Sequence, residues 1–241
     1  MSFNHAKPTF YQKQYSLYRF VVNFLEPVAC LVYLLALLLN FIRNKGPFSL
    51  ALSGYYLVAS VLLTMGCLGV GHTDNNIWVY DSVALLTAVS IGAYFYNLLQ
   101  ARSKKITVLL LIAAYVAYAI VRNFTLQGPR LFDSLGYAMV SASVTVYVFM
   151  YFHHVLNNVT DTSIFREFNF WLSSGYLLYF LGSSIIFISY YYFTKKYLVT
   201  QSHSDAELLT ALWGLHNVLL FVGALSLLTG SLWVTYRRKS R

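Results

Sequence analysis

Apolar residues fall in seven long runs along the chain, each closed off by a short polar stretch. The runs cover about residues 17–42, 48–71, 77–99, 106–122, 132–154, 170–193 and 207–234. A helix that crosses the hydrocarbon of a bilayer needs about 20 mostly apolar residues. Each run approaches or exceeds that length, so the pattern predicts seven transmembrane α-helices, the fourth being the shortest. Connectors such as Arg43-Asn44-Lys45-Gly46-Pro47 and Ala101-Arg102-Ser103-Lys104-Lys105 are too brief to form a soluble domain. The expected organisation is a polar N-terminal segment over 1–16, a seven-helix transmembrane domain over 17–236 and a basic tail over 237–241. The fold class is therefore all-α, a polytopic membrane bundle.

Composition agrees with this reading: 58% of the residues are hydrophobic and 10% are charged, against roughly 25% charged in a soluble domain. The net charge of +9 does not point to nucleic acid, because Lys and Arg occur in short clusters between apolar runs and form no basic face. Their distribution instead sets the topology. With the C-terminus inside, ten of the 17 basic residues lie on inner segments and seven on outer ones, and the turn from Gly71 to Ile77 carries no Lys or Arg. The positive-inside bias favours the N-terminus out and the C-terminus in. Aromatic clusters at Phe168-Asn169-Phe170-Trp171 and Tyr190-Tyr191-Tyr192-Phe193 suit headgroup-level ends of the sixth helix. The N-terminal residues show no signal-peptide pattern, so the first run is expected to direct insertion itself.

An ionisable side chain inside a bilayer is costly and is a functional candidate by default. Glu26 in the first run and His216 in the seventh lie deepest. Counting from each run's centre puts both about 6 Å towards the outer side, level with one another. If the first and last helices close a ring, a Glu26–His216 hydrogen bond or ion pair becomes reachable. Pro27 leaves the carbonyl of Asn23 without its helical donor and favours a kink. Asn23 and Glu26 are three apart and share a face, so the pair is expected to face the bundle interior. Trp213, His216 and Asn217 form a polar-aromatic stretch that would hold a small ligand against the Glu26 bend. Asp81 opens the third helix and completes the expected ligand-binding set. Nearer the outer surface, His72, Asp74 and Asp133, with Arg122 as counter-charge, are expected to form a polar mouth.

Packing chemistry accounts for most other features. Ala84, Ala88 and Gly92 on the third helix, and Gly175 and Gly182 on the sixth, provide the small residues that let helices approach in lipid. Many of the 21 tyrosines lie mid-span and suit an interior where each hydroxyl finds a partner. Cys30 and Cys67 read as small hydrophobes. The adjacent histidines His153 and His154 point about 100° apart, poor geometry for one metal. No lysine lies mid-span on the last helix for retinal. There is no HExxH, GxSxG or phosphate loop, so neither metal nor cofactor is expected and enzymatic activity is disfavoured.

The run from Phe168 to Ser183 (FNFWLSSGYLLYFLGS) resembles the penultimate span of the membrane-embedded input regions of many Bacteroidetes-type sensor histidine kinases. Those spans share a Phe-Trp, a Gly, a Leu/Ile-x-Tyr-Phe and a second small residue, and are followed by a last span with an aromatic-polar centre like Trp213 to Asn217. The resemblance implies a seven-helix sensory module. The kinase domain of that family does not follow Arg237 to Arg241, so a signal would pass to a partner protein. The combined expectation is a non-enzymatic, receptor-like component of a bacterial inner membrane with an outward-facing polar cavity for a small ligand or proton. Its expected partners are membrane lipid and a cytoplasmic or membrane effector. A small-solute transporter or channel is the alternative, with a polar path through Asn97 and Gln100. A lipid-modifying enzyme comes third.

Overall fold

A computed structural model describes residues 18–44, 47–68, 77–125, 131–157 and 164–239. Seven long helices account for nearly all of them: α1 (Leu25–Asn44), α2 (Pro47–Cys67), α3 (Ile77–Leu98), α4 (Arg102–Thr125), α5 (Ser134–Asn157), α6 (Phe168–Thr200) and α7 (His203–Lys239). All seven are long and apolar enough to cross a membrane. A further helical stretch, residues 18–23, precedes α1 and is separated from it by a turn at Phe24. A single 3₁₀ turn, Ile164–Arg166, leads into α6.

Local chemistry sets several boundaries. Pro47 occupies the first helical position of α2, where a missing N–H costs nothing. Asp133 caps α5, its Oδ1 accepting the Gly136 amide at 2.9 Å, which satisfies one of the free donors of the first turn. At the far end of α6, Gln201 takes a left-handed conformation, φ 49°, and its amide closes the helix on the Tyr197 carbonyl. The last two helices are longer than the sequence spans. α6 has 33 residues and α7 has 37, about 50 and 55 Å at 1.5 Å per residue, against about 30 Å of hydrocarbon. Their meeting ends are joined beyond the apolar run, where Lys196 and Thr200 both donate to Asp205 at 2.8 Å.

The helices run alternately up and down. At one end, here the first end, α4 meets α3 and α5 through Arg122, and α6 meets α7 through Lys196. At the second end Asn40 of α1 meets Ser49 of α2, and Tyr94 of α3 meets Asn169 of α6. The packing order is α1–α2–α3–α5–α6–α7, closed by α7 on α1, with α4 outside on α3 and α5. The ring is therefore closed by the first and last helices but contains six members. The reason lies in side-chain size. Ala84 and Ala88 are buried on α3 and Ala138 and Ser141 on α5, and such small residues let two helices approach directly. In α4 only Val108 and Tyr115 are buried.

The closest approach is between α6 and α7. A Cβ added to Gly175 would stand 2.6 Å from the Gly223 carbonyl oxygen, and one added to Gly223 would stand 2.7 Å from that of Gly175. Backbone meets backbone here, and Gly223 is the partner the sequence left unnamed. In the half of the ring nearer the second end, Leu37, Leu52, Leu172 and Leu227 are fully buried, with Ser53 and Ser173 buried next to Leu52 and Leu172 in sequence.

Candidate functional site

The site is built where α1 breaks. Pro27 has no amide for the Asn23 carbonyl, and the structure supplies a substitute donor, the Cys67 thiol of α2 at 2.6 Å. The neighbouring carbonyls of Val21 and Val22 each accept from the Asn217 side-chain amide of α7, both at 3.0 Å. The interruption at Phe24 is thus held by α2 and α7. Asn217 is fully buried, so it acts as a clamp on the backbone and not as a ligand group on an open wall. Its replacement by Leu is expected to cost about 1–3 kcal/mol, the penalty for unpaired buried polar groups. A lower unfolding temperature in detergent, with faster amide exchange confined to residues 18–26, would register it.

Just past the break, Glu26 points into the ring. It is 6% exposed, and His216 is not exposed at all. Glu26 Oε1 lies 3.9 Å from His216 Nε2, and the Tyr179 hydroxyl is 3.4 Å from the same nitrogen. On the other side of the imidazole, the Ser183 hydroxyl lies 3.2 Å from Nδ1. Both hydroxyls can donate or accept, so the ring is served in its neutral and its charged form alike. α6 contributes this support at helical spacing: Tyr176, Tyr179, Ser183 and Phe187 share one buried face.

Beside Glu26 lies a cavity of about 30 Å³, room for one or two waters. Cys30 of α1, Tyr55 and Tyr56 of α2, Thr87 of α3, Tyr137 and Ser141 of α5, Tyr179 of α6 and Leu220 of α7 line it with Glu26. All six ring helices reach it and α4 does not. Tyr55 is bonded to Thr87 at 2.7 Å and Tyr56 to Tyr176 at 3.1 Å, so the wall is ordered and mostly satisfied. Between His216 and the first end stands an aromatic cluster. Trp213 meets Tyr80 and Phe132 edge to face at 5.3 and 5.1 Å, and the Phe187 ring packs tilted, at 57°, against His216 at 4.6 Å. The indole of Trp213 is itself 5.4 Å from the imidazole.

No family model, curated protein or solved structure matches the chain. The reading of the site therefore rests on its own geometry.

Several expected site residues fall elsewhere. The side chain of Asn23 is exposed and only its carbonyl joins the break, because the turn at Phe24 rotates the residue off the Glu26 face. Asp81 does not line the cavity; its Oδ1 receives Arg122 at 3.0 Å. Arg122 also stands 3.4 Å from Asp133 and donates to the Leu131 carbonyl at 2.8 Å. Asp133 further accepts from Tyr118 at 2.8 Å. The expected mouth of Asp81, Arg122 and Asp133 is thus an ion cluster fastening α4 to α3 and α5, since a guanidinium between two carboxylates satisfies itself before it can admit solvent. His72 and Asp74 lie outside the described residues. Trp213 belongs to the aromatic cluster that covers the site.

Tyr55, Tyr56, Thr87, Tyr179 and Ser183 were missed because a hydroxyl within an apolar run carries no charge cost to flag it. The signal available was the Tyr176–Tyr179–Ser183–Phe187 spacing, and Cys30 four residues after Glu26. Among the described residues no three His, Cys, Asp or Glu side chains converge.

Proposed function

We propose that the protein is a non-enzymatic, receptor-like membrane component whose input is a proton exchanged at the Glu26–His216 pair. The observation that carries this reading is two buried ionisable groups, from the first and last helices, facing one another across 3.9 Å beside a cavity of about 30 Å³. Organic ligands occupy pockets of roughly 300–1,000 Å³, so the size of the space favours a proton or water as the occupant. Fully buried Leu37, Leu52, Leu172 and Leu227 lie on one side of the site and the aromatic cluster on the other. That arrangement favours a sensor over a solute path, and Asn97 bonds to the Ala93 carbonyl on an exposed face away from the ring interior.

In this reading a change of charge at ring centre shifts α1 against α7 about the Phe24 turn, a short hinge of the kind that absorbs large dihedral change. The shift is passed to an effector at the second end, which carries Arg102, Lys104 and Lys105 and faces the cytoplasm of a bacterial inner membrane. Trp213 offers a direct reporter, because an imidazolium quenches a neighbouring indole. With Trp78, Trp171 and Trp233 replaced by Phe, emission from Trp213, 5.4 Å from the imidazole, is expected to fall on acidification. His216→Gln should hold it constant. A flat titration in the protein that retains His216 would sink the proposal.

A further inference from the structure

A second and much larger cavity, about 350 Å³, lies at the first end on the outside of the ring. Its position follows from the packing order: α4 sits on α3 and α5, and α6 on α5 and α7, so α4 and α6 flank α5 with a crevice between them. The rim is apolar and exposed, with Leu131 at 46%, Leu135 at 39% and Leu198 at 48%. The back is polar, formed by Arg122, Asp133 and Thr194. The Thr194 hydroxyl is buried without a hydrogen-bond partner. Lys195 stands at the edge, its ammonium 4.4 Å over the Tyr191 ring, and takes part in no ion pair among the described residues.

An apolar rim at the end of a membrane span with a polar back suits an amphiphile: a water-soluble ligand would leave the leucines uncovered, and a hydrocarbon chain alone would bury the Thr194 hydroxyl unpaired. The charges narrow the choice further. Arg122 lies between Asp81 and Asp133, so that cluster carries one net negative charge, while Lys195 adds one positive charge across the crevice. Among the described residues these charges sum to zero, and the field they set up across the crevice is dipolar. Its complement is a headgroup that is itself a zwitterion, a phosphate facing Lys195 and Thr194 with an amine facing the Asp133 side, and a phospholipid supplies the acyl chains for the leucine rim.

We propose that the α4–α6 crevice is a specific site for one zwitterionic aminophospholipid, independent of the Glu26–His216 reading. The test uses the full chain in nanodiscs of equimolar phosphatidylethanolamine and phosphatidylglycerol, extracted into mild detergent and weighed intact by native mass spectrometry. One phosphatidylethanolamine is expected to be retained in preference to phosphatidylglycerol. Lys195→Ala should weaken its retention about tenfold, as expected for loss of one charge-assisted hydrogen bond, and Lys195→Arg should restore it. Lys195 is exposed, so these changes leave the fold intact, which an unaltered unfolding temperature would verify. Preference for phosphatidylglycerol, equal retention of the two lipids, or retention indifferent to Lys195→Ala would each overturn the assignment.

Discussion

Replacing Glu26 or His216 by Ala singly is expected to lower stability by about 3–5 kcal/mol each, because either change leaves its partner buried without a counterpart. Replacing both should cost clearly less than the sum, with a coupling of about 1–3 kcal/mol. The cause is electrostatic. Removing either group strands the other in a medium where an uncompensated ionic or polar group is expensive; removing both takes that penalty away and leaves mainly the loss of packing. The remaining partners of His216, Ser183 at 3.2 Å and Tyr179 at 3.4 Å, are hydroxyls and cannot replace the Glu26 carboxyl. Thermal or denaturant unfolding of the four proteins in one detergent measures the cycle, and strictly additive losses would show that the two side chains do not act as a pair.

The second large effect is steric. Gly223→Ala is expected to destabilise the bundle by about 2–3 kcal/mol, in the range of overpacked cores. The new methyl would meet the Gly175 carbonyl oxygen and the Tyr33 hydroxyl, both at 2.7 Å. A flexible side chain could step aside, but a helix backbone moves only by separating α6 from α7, and that loosens the face carrying Tyr176, Tyr179 and Ser183 as well. Gly54 is the matched control. Nothing lies within 4 Å of the position its Cβ would take, so Gly54→Ala should be neutral or stabilise by up to about 1 kcal/mol through helix propensity. Equal unfolding temperatures for the two variants would contradict the close approach.

Most of the fold was legible because lipid leaves so few options. Backbone groups in hydrocarbon must be satisfied within the helix, and a run of 20 apolar residues announces itself. What the sequence could not show was which helices touch. The apolar run of α4 is as hydrophobic as those of α3 and α5, and its place outside the ring depends on the small residues of α3 and α5 that let those two helices meet directly. That Glu26 and His216 stand level on the first and last helices was readable by counting residues, and so was the carbonyl freed by Pro27. Its new donor, Cys67, was not, since a lone thiol in an apolar run carries no pattern. Asp81 and Asp133 misled for a physical reason: a carboxylate near a span end looks the same in sequence whether it faces water or, as here, Arg122. The length of α6 and α7 was underread because Lys196 and Asp205 look like interruptions until they pair.

Infrared difference spectroscopy of the reconstituted protein between acidic and neutral pH tests most directly whether the buried carboxyl–imidazole pair takes up a proton. A carboxyl band that changes with pH together with imidazole ring bands, and that is lost in Glu26→Gln and altered in His216→Ala, is the result this account requires. A spectrum without a Glu26-dependent band across that range would contradict it.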